Sequence, residues 1–303
     1  MAVVLPALVS QAIVNIYAPT GNTSAPTGTG GEPSDPGWNS AGVVSNGTGN
    51  SSGVYLGNGW VLTARHVGAG TFIDSSGTSY AWDGATAHDI TGTDLTLFKL
   101  AETPELPAAT LATSAPTTGS QVVMIGNGRS PTSDTSTLYY VDTDTDPYTW
   151  STTPFAGWDS TARGYLTNST LDMRWGTNTI EAYGFGTGTL SGIGYYFYTD
   201  FDLTGGTTYE AQAVARDSGG PVFYYDGSQW VLAGLMVTVG TFSGQPSFSA
   251  FGGNVTYAVD LSKYADQING LIPEPARYAM LAGLIAVLVI PRLRRRLRSP
   301  VNA

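Results

Sequence analysis

The sequence has 303 residues and a formal net charge of −10 at pH 7, a length that allows one large domain or two modest ones. It holds no cysteine, which excludes thiol catalysis, thiolate metal sites and disulfides, and its acidic body lacks the basic face that nucleic-acid binding needs. Gly, Ser and Thr are common, charged residues are scarce, and short apolar runs broken by turn residues recur, the pattern of an all-β protein.

The chain opens on MAVVLPALVSQAIVN, an apolar stretch that ends in Ser10-Gln11-Ala12. Small residues at the two outer positions suit signal peptidase, so residues 1–12 read as a signal peptide whose basic start is missing; the rival is a first strand of the fold. Residues 13–42 read as an N-terminal loop or linker, and the composition from Asn22 to Gly53 predicts little core.

In SGVYLGNGWVLTARHVGAG, Val54–Leu56 and Trp60–Thr63 are predicted strands, joined at Asn58-Gly59, where both residues tolerate positive φ. His66 then lies just past a buried strand's end, where a rigid sheet can aim a side chain into a cleft. The second histidine, His88 in ATAHDITGTD, has no such setting and reads as a loop residue. Asp94 opens DLTLFKL, an apolar-rich strand. A carboxylate at the mouth of a buried strand needs a partner, either a turn that it caps or the Nδ1–H of His66. Asp89 is its rival, without a strand to hold it still.

The middle, Ser130 to Tyr209, is long. YYVDTDTDPYTW sets Asp142, Asp144 and Asp146 at alternate positions. A solvated acidic loop is preferred there over a Ca²⁺ site, because the rest of an EF-hand loop is missing. YGFGTGTLSGIG, Tyr183 to Gly194, lacks the Lys-Ser/Thr of a phosphate loop. Ser218 lies in RDSGGPVF. Gly219 and Gly220 permit a sharp turn, Pro221-Val222-Phe223 starts a strand, and Asp226-Gly227 turns it into Trp230 to Leu235. A serine on such a turn projects its hydroxyl beside convergent N–H groups, as acyl transfer requires.

The chain closes on IPEPARYAMLAGLIAVLVIPRLRRRLRSPVNA. Tyr278 to Ile290 is an uncharged apolar run, followed by Arg292, Arg294, Arg295, Arg296 and Arg298. With Arg277 and Arg292 snorkelling at its ends, it reads as an anchor through 278–290 that leaves the body outside the inner membrane. Pro273-Glu274-Pro275, an apolar helix and a terminal arginine cluster together resemble the PEP-CTERM sorting signal of Gram-negative bacteria. That resemblance implies an exosortase as processing partner, loss of the helix, and delivery to the envelope or extracellular matrix.

WVLTARHV, DLTLFKL and RDSGGPV, in that order, resemble the histidine, aspartate and serine motifs of the trypsin-like (chymotrypsin-fold) serine peptidases. LAGLMVTVG and VTYAVDLSKYADQI resemble the strand beside the substrate and the closing strand and helix. Apart from the middle, the resemblance runs from about Val43 to Ile268. It implies two antiparallel Greek-key β-barrels with the active site between them. Residues 43–115 would carry His66 and Asp94, and residues 116–270 would carry Ser218. A short C-terminal helix and the tail, 271–303, would follow.

By the same resemblance, Ser218 is the nucleophile, His66 the general base and acid, and Asp94 the group that orients His66. The backbone N–H groups of Arg216 and Ser218 form the oxyanion hole. No cofactor and no metal is implied. Arg216 stands where the family has glycine, and the expectation is an intact hole with the side chain pointing outward. Arg65 stands where the family has a small residue. Gln212 falls at the pocket floor, with Val237, Thr238 and Val239 along one wall, which implies an uncharged side chain before the scissile bond. In the family the aspartate before the serine pairs with the new N-terminus of a cleaved chain. Cleavage after Ala12 would expose Ile13-Val14-Asn15 for Asp217. The expected function is an exported serine endopeptidase acting on proteins or peptides; the alternative is a catalytically inactive homologue serving as a surface or matrix binding protein.

Overall fold

The computed structural model describes residues 3–4 and 13–272. The site after Ala12 and the tail from Pro273 onward lie outside these residues. Among the described residues, no helix is long and apolar enough to cross a membrane.

Strands β1 (Val3–Val4) and β2 (Val14–Asn15) precede the first sheet. That sheet holds β3 (Ala41–Asn46), β4 (Gly49–Gly57), β5 (Trp60–Ala64), β6 (Thr71–Asp74), β7 (Ser79–Tyr80), β8 (Trp82–Ile90) and β9 (Leu95–Leu100). Its order is β7-β6-β3-β4-β5-β9-β8, antiparallel throughout. The Asn58-Gly59 turn takes the predicted form, with φ of 51° and 77°. β9 is buried along almost its whole length, whereas β8 is an exposed edge strand. His88 lies on that edge strand, not in the expected loop.

The second half contributes β10 (Gln121–Pro131), β11 (Thr137–Asp142), β12 (Thr149–Ser151), β13 (Ser160–Thr179), β14 (Ala182–Phe185), β15 (Tyr195–Asp200), β16 (Ala211–Gln212), β17 (Pro221–Tyr225), β18 (Trp230–Phe242), β19 (Ser249–Phe251) and β20 (Val255–Asp260). Its main order is β12-β11-β13-β10-β17-β18-β20-β15-β14, with β1 on β18 and β19 on β13. The expected closing helix is α1 (Ala265–Leu271). The poorly matching middle is thus regular sheet. β13 runs for 20 residues, pairing with β10 over one half and with β11 and β19 over the other.

Two sequence expectations need correction. Residues 41–53, inside the stretch expected to lack core, belong to β3 and the first part of β4, and Trp38 just before them is buried. Small residues serve close approach there: a Cβ on Gly42 would overlap Ile73 O and the Phe72 ring. Residues 13–15 are no linker either. β2 pairs with β16, Val14 opposite Gln212 and Asn15 opposite Ala211, and all three residues are buried. One apolar cluster then joins the two sheets: Val54, Leu62 and Leu97 from the first pack with Val123, Ile125, Phe223 and Leu235 from the second. Burying such side chains stabilises the fold by roughly 1.5–3 kcal/mol each, so the sheets are held as one unit.

Candidate active site

β5 ends at Ala64, and the chain turns at once, with the N–H groups of Val67 and Gly68 both donating to Ala64 O. This turn carries Arg65 and His66. Opposite, the turn between β8 and β9 carries Asp94. Thr93 rigidifies it: its Oγ1 donates to Ile90 O and accepts from the Leu95 N–H. The Arg65 N–H donates to Asp94 O at 2.9 Å, which fixes the two turns in register.

Asp94 engages His66 at two points. Oδ1 accepts the His66 backbone N–H at 3.0 Å, and Oδ2 lies 2.6 Å from His66 Nδ1. The Asp94 side chain is 7% exposed and that of His66 is 22% exposed, so the carboxylate is shielded while the ring reaches solvent. With Nδ1 directed at Asp94, the ring turns Nε2 outward. Asp89 is not brought in; its carboxylate accepts from Thr96 Oγ1 on the exposed edge.

Ser218 reaches this corner from the second half. The Ser52 N–H donates to Ser218 O at 3.0 Å, and Thr63 Oγ1, three residues before His66, donates to Ser52 O. Gly219 has φ +87°, and a Cβ on it would overlap Ser52 O and Thr63 Oγ1, so only glycine fits after the serine. Behind it, Gly219 N–H donates to Met236 O and Met236 N–H to Gly220 O, which anchors the turn on β18.

Arg216 has φ +95°, a backbone conformation that glycine adopts readily and side-chain-bearing residues rarely do. Its peptide is oriented from behind. Arg129 N–H donates to Ala215 O at 3.0 Å, and the C=O and N–H of a trans peptide point in opposite directions, so the Arg216 N–H faces away from Arg129. Ser52 Oγ donates to Arg216 O at 3.3 Å and accepts from Asn127 N–H at 2.8 Å. The side chain lies over Gly49, with Nη1 3.5 Å from Thr48 O. Ser52, Asn127 and Arg129 escaped sequence reading. Two act through main-chain N–H groups that any residue supplies, and the third is one serine in a Ser/Gly run.

Beside Ser218 is a cavity of about 10 Å³ lined by Ala213, Met236, Val237, Thr238 and Val239. Gln212 does not line it; it is buried, its Nε2 donates to Val255 O, and its Oε1 has no partner among the described residues. On the other side of His66, Arg65, His66, Asp94, Ser191, Gly192 and Ile193 line an open cavity of about 200 Å³. Its far wall is the loop between β14 and β15, the glycine-rich segment of the sequence.

Asp217 is fully buried. Its Oδ2 accepts from Val214 N–H at 3.3 Å, and its Oδ1 has no partner among the described residues. Burial pushes its carboxyl well above the usual carboxylate range, and the charge of Arg174 only partly opposes this. Ile13 is buried in the adjoining cluster with Met124, Ala213 and Val222. Asp142 and Asp144 group with Asp159, not with Asp146, whose carboxylate accepts from Ser243 Oγ. Asp144 and Asp159 are exposed; Asp142 accepts from the Asp144 N–H, and Asp159 accepts from Thr143 Oγ1 across the segment.

The family model of the trypsin-like peptidase domain matches residues 51–235. No curated protein sequence matches the chain. Similar solved structures include kallikrein-related peptidase 10, at 16% identity, covering 79% of this chain and 98% of that one with a TM-score of 0.45. Neuropsin, a serine protease of mouse brain, is 14% identical and covers 84% of this chain and 99% of its own, with a TM-score of 0.47. The HtrA-type protease AlgW with a decapeptide is 19% identical, covering 74% of this chain and 52% of that one, with a TM-score of 0.43.

Proposed function

The chain belongs to the trypsin-like peptidase family, and from that premise we propose that it is an exported serine endopeptidase working through Ser218, His66 and Asp94. Ser218 Oγ attacks the scissile carbonyl as His66 Nε2 takes its proton. The N–H groups of Arg216 and Ser218 hold the oxyanion, and His66 then protonates the leaving amine. Water, deprotonated by His66, releases the acyl group from Ser218 by the same steps. Asp94 keeps the Nδ1 proton in place and balances the imidazolium charge. The observation that carries this reading is the two-point hold of Asp94 on His66. The two sheets are read as the family's two barrels, with the cleft between them.

The small cavity beside Ser218 favours a small uncharged residue before the scissile bond, with Val237, Thr238 and Val239 as its wall. For activation, we read cleavage before Ile13 as the switch. The new α-ammonium would meet the unpartnered Oδ1 of Asp217, and the buried Ile13 and the Val14–Gln212 pairing support that path. Residues 273–303 are read as a sorting tail that tethers the chain before an exosortase removes it. Accumulation of uncut chain in the membrane of a strain lacking exosortase tests that assignment.

A fluorophosphonate probe tests the chemistry. Protein that begins at Ile13 should label, its Ser218→Ala variant should not, and tryptic mapping should find the adduct on Ser218. Folded protein that begins at Ile13 and stays unlabelled would replace the peptidase with a binding protein of the same fold.

A further inference from the structure

The Arg65 guanidinium borders the cavity beside His66, that of Arg216 lies over Gly49, and neither makes an ion pair among the described residues. Three other cations are held by neighbouring groups. Arg174 is buried against Asp172, Arg129 stacks on Phe248, and Lys99 lies over Trp60 and donates to Asn58 O. Among the described residues no ion pair or side-chain hydrogen bond engages the Arg65 guanidinium, and that of Arg216 meets only Thr48 O at 3.5 Å, on a chain that carries a net charge of −10.

Arg65 has its main chain tied to Asp94 O, and its side chain is exposed. It extends along the β14–β15 loop, where a Cβ on Gly192 would lie 3.9 Å from Arg65 Nη2. It therefore borders the cavity of about 200 Å³ beside His66. The one carboxylate on that cavity, Asp94, has both oxygens directed at His66 and is shielded from a ligand. Arg216 lies over the turn between β3 and β4 instead. Asn46 of that turn donates through Nδ2 to Val67 O, directly after His66. The two cations thus sit against two different walls of the same catalytic corner.

We propose that Arg65 and Arg216 make this peptidase select acidic substrates, with an Asp or Glu side chain on each side of the scissile bond. One carboxylate enters the cavity beside His66 and meets Arg65. The other meets Arg216 over the β3–β4 turn. A guanidinium receives a carboxylate through two parallel N–H bonds, which fixes geometry as well as charge. The residue next to Ser218 is held small by its cavity of about 10 Å³, so charge is read on its neighbours. This inference rests on the endopeptidase reading.

The test uses active protein that begins at Ile13 and matched fluorogenic peptides with alanine before the cut bond. The flanking positions carry Glu, Gln or Lys. Glu should exceed Gln about fivefold in kcat/KM on each flank, the scale of one partly exposed ion pair, and Lys should fall below Gln. Arg65→Gln should cancel the preference on one flank only, and Arg216→Gln on the other. Arg65→Lys should restore part of the first, and Arg65→Glu should reverse it towards Lys. Each variant is first labelled with the fluorophosphonate probe, which reports a folded, assembled site. Labelled protein that cuts Glu and Gln peptides alike, or whose preference survives both Gln variants, overturns the acidic selection and leaves the endopeptidase standing. Folded protein that neither labels nor cuts overturns both.

Discussion

At the scale of single residues, Asp94 does two jobs with one side chain. One oxygen fixes the backbone at His66 and the other fixes the ring. An amide cannot do both, since its nitrogen donates where an acceptor is needed. Asp94→Asn should therefore keep the fold, favour the wrong imidazole tautomer and lower kcat about 10⁴-fold, as read by peptide hydrolysis near pH 8. Arg216 presents a different balance. A φ of +95° is natural for glycine and strained for arginine, so Arg216→Gly should raise stability by about 1 kcal/mol in urea melts while removing the guanidinium from the cleft. Asp217 is the third case. Burial keeps its carboxyl protonated above the usual range, so the uncut fold binds a proton that the unfolded chain has released. Stability of uncut protein should fall as pH rises through that window, and Asp217→Asn should flatten the fall. In cut protein the same substitution should abolish activity, which an assay of both forms separates.

At the scale of elements, turns hold the chemistry and strands hold the turns. The β14–β15 loop is pressed onto the turn that carries Asp94: Gly194 has φ +78°, and a Cβ on it would lie 2.9 Å from Gly92 O and overlap the Tyr264 hydroxyl. Gly194→Ala should push that loop off Gly92 and Thr93, lowering thermal stability and kcat together. A second buried acid governs the loop before β16. Glu210 Oε2 accepts from Thr207 N–H and Oγ1, and burial raises its carboxyl to about 7. Its folded form keeps a proton between about pH 4.5 and 7 that the unfolded chain loses, so stability declines with rising pH across that range. Glu210→Gln should reduce that slope, seen in melting temperatures taken from pH 5 to 8. Some of this was open to sequence reading. Asn58-Gly59, the buried run of β9 and the glycines after Ser218 announce themselves, because local backbone demands select those residues. Glu210 and the Gly186–Gly194 stretch do not. Their roles depend on what a distant segment brings against them, and a glycine-rich loop reads the same whether it is solvated or pressed on the turn that carries Asp94.

At the scale of the whole molecule, the site belongs to neither sheet alone. His66 and Asp94 come from the first and Ser218 from the second. Three bonds at Ser52 join them: its N–H to Ser218 O, its Oγ to Arg216 O, and Asn127 N–H to that Oγ. The resemblance of three short motifs was enough to pair the halves on paper. It did not reveal Ser52, which sat in a stretch whose small residues read as linker. Small side chains mark both loose chain and crowded sheet, and composition does not separate them. The N-terminal strand teaches the same lesson, since Ile13, Val14 and Asn15 are core residues. Removing residues up to Ala12 should convert inactive chain to active enzyme, while cleavage that starts the chain at any other residue should not; N-terminal sequencing of active fractions checks this.

The Ser52 junction also makes cutting a reporter of assembly. The chain between Ala112 and Gln121 carries the crossing from one half to the other, and most of it is exposed. A break there would leave Ser52, Asn127, Arg216 and Ser218 able to find one another again, but only when the two fragments dock. Fragments produced separately should be silent and should regain hydrolysis on mixing, with a midpoint set by their affinity. Ser52→Ala would then be felt more in the reassembled pair than in the unbroken chain, where covalent connection keeps the partners close.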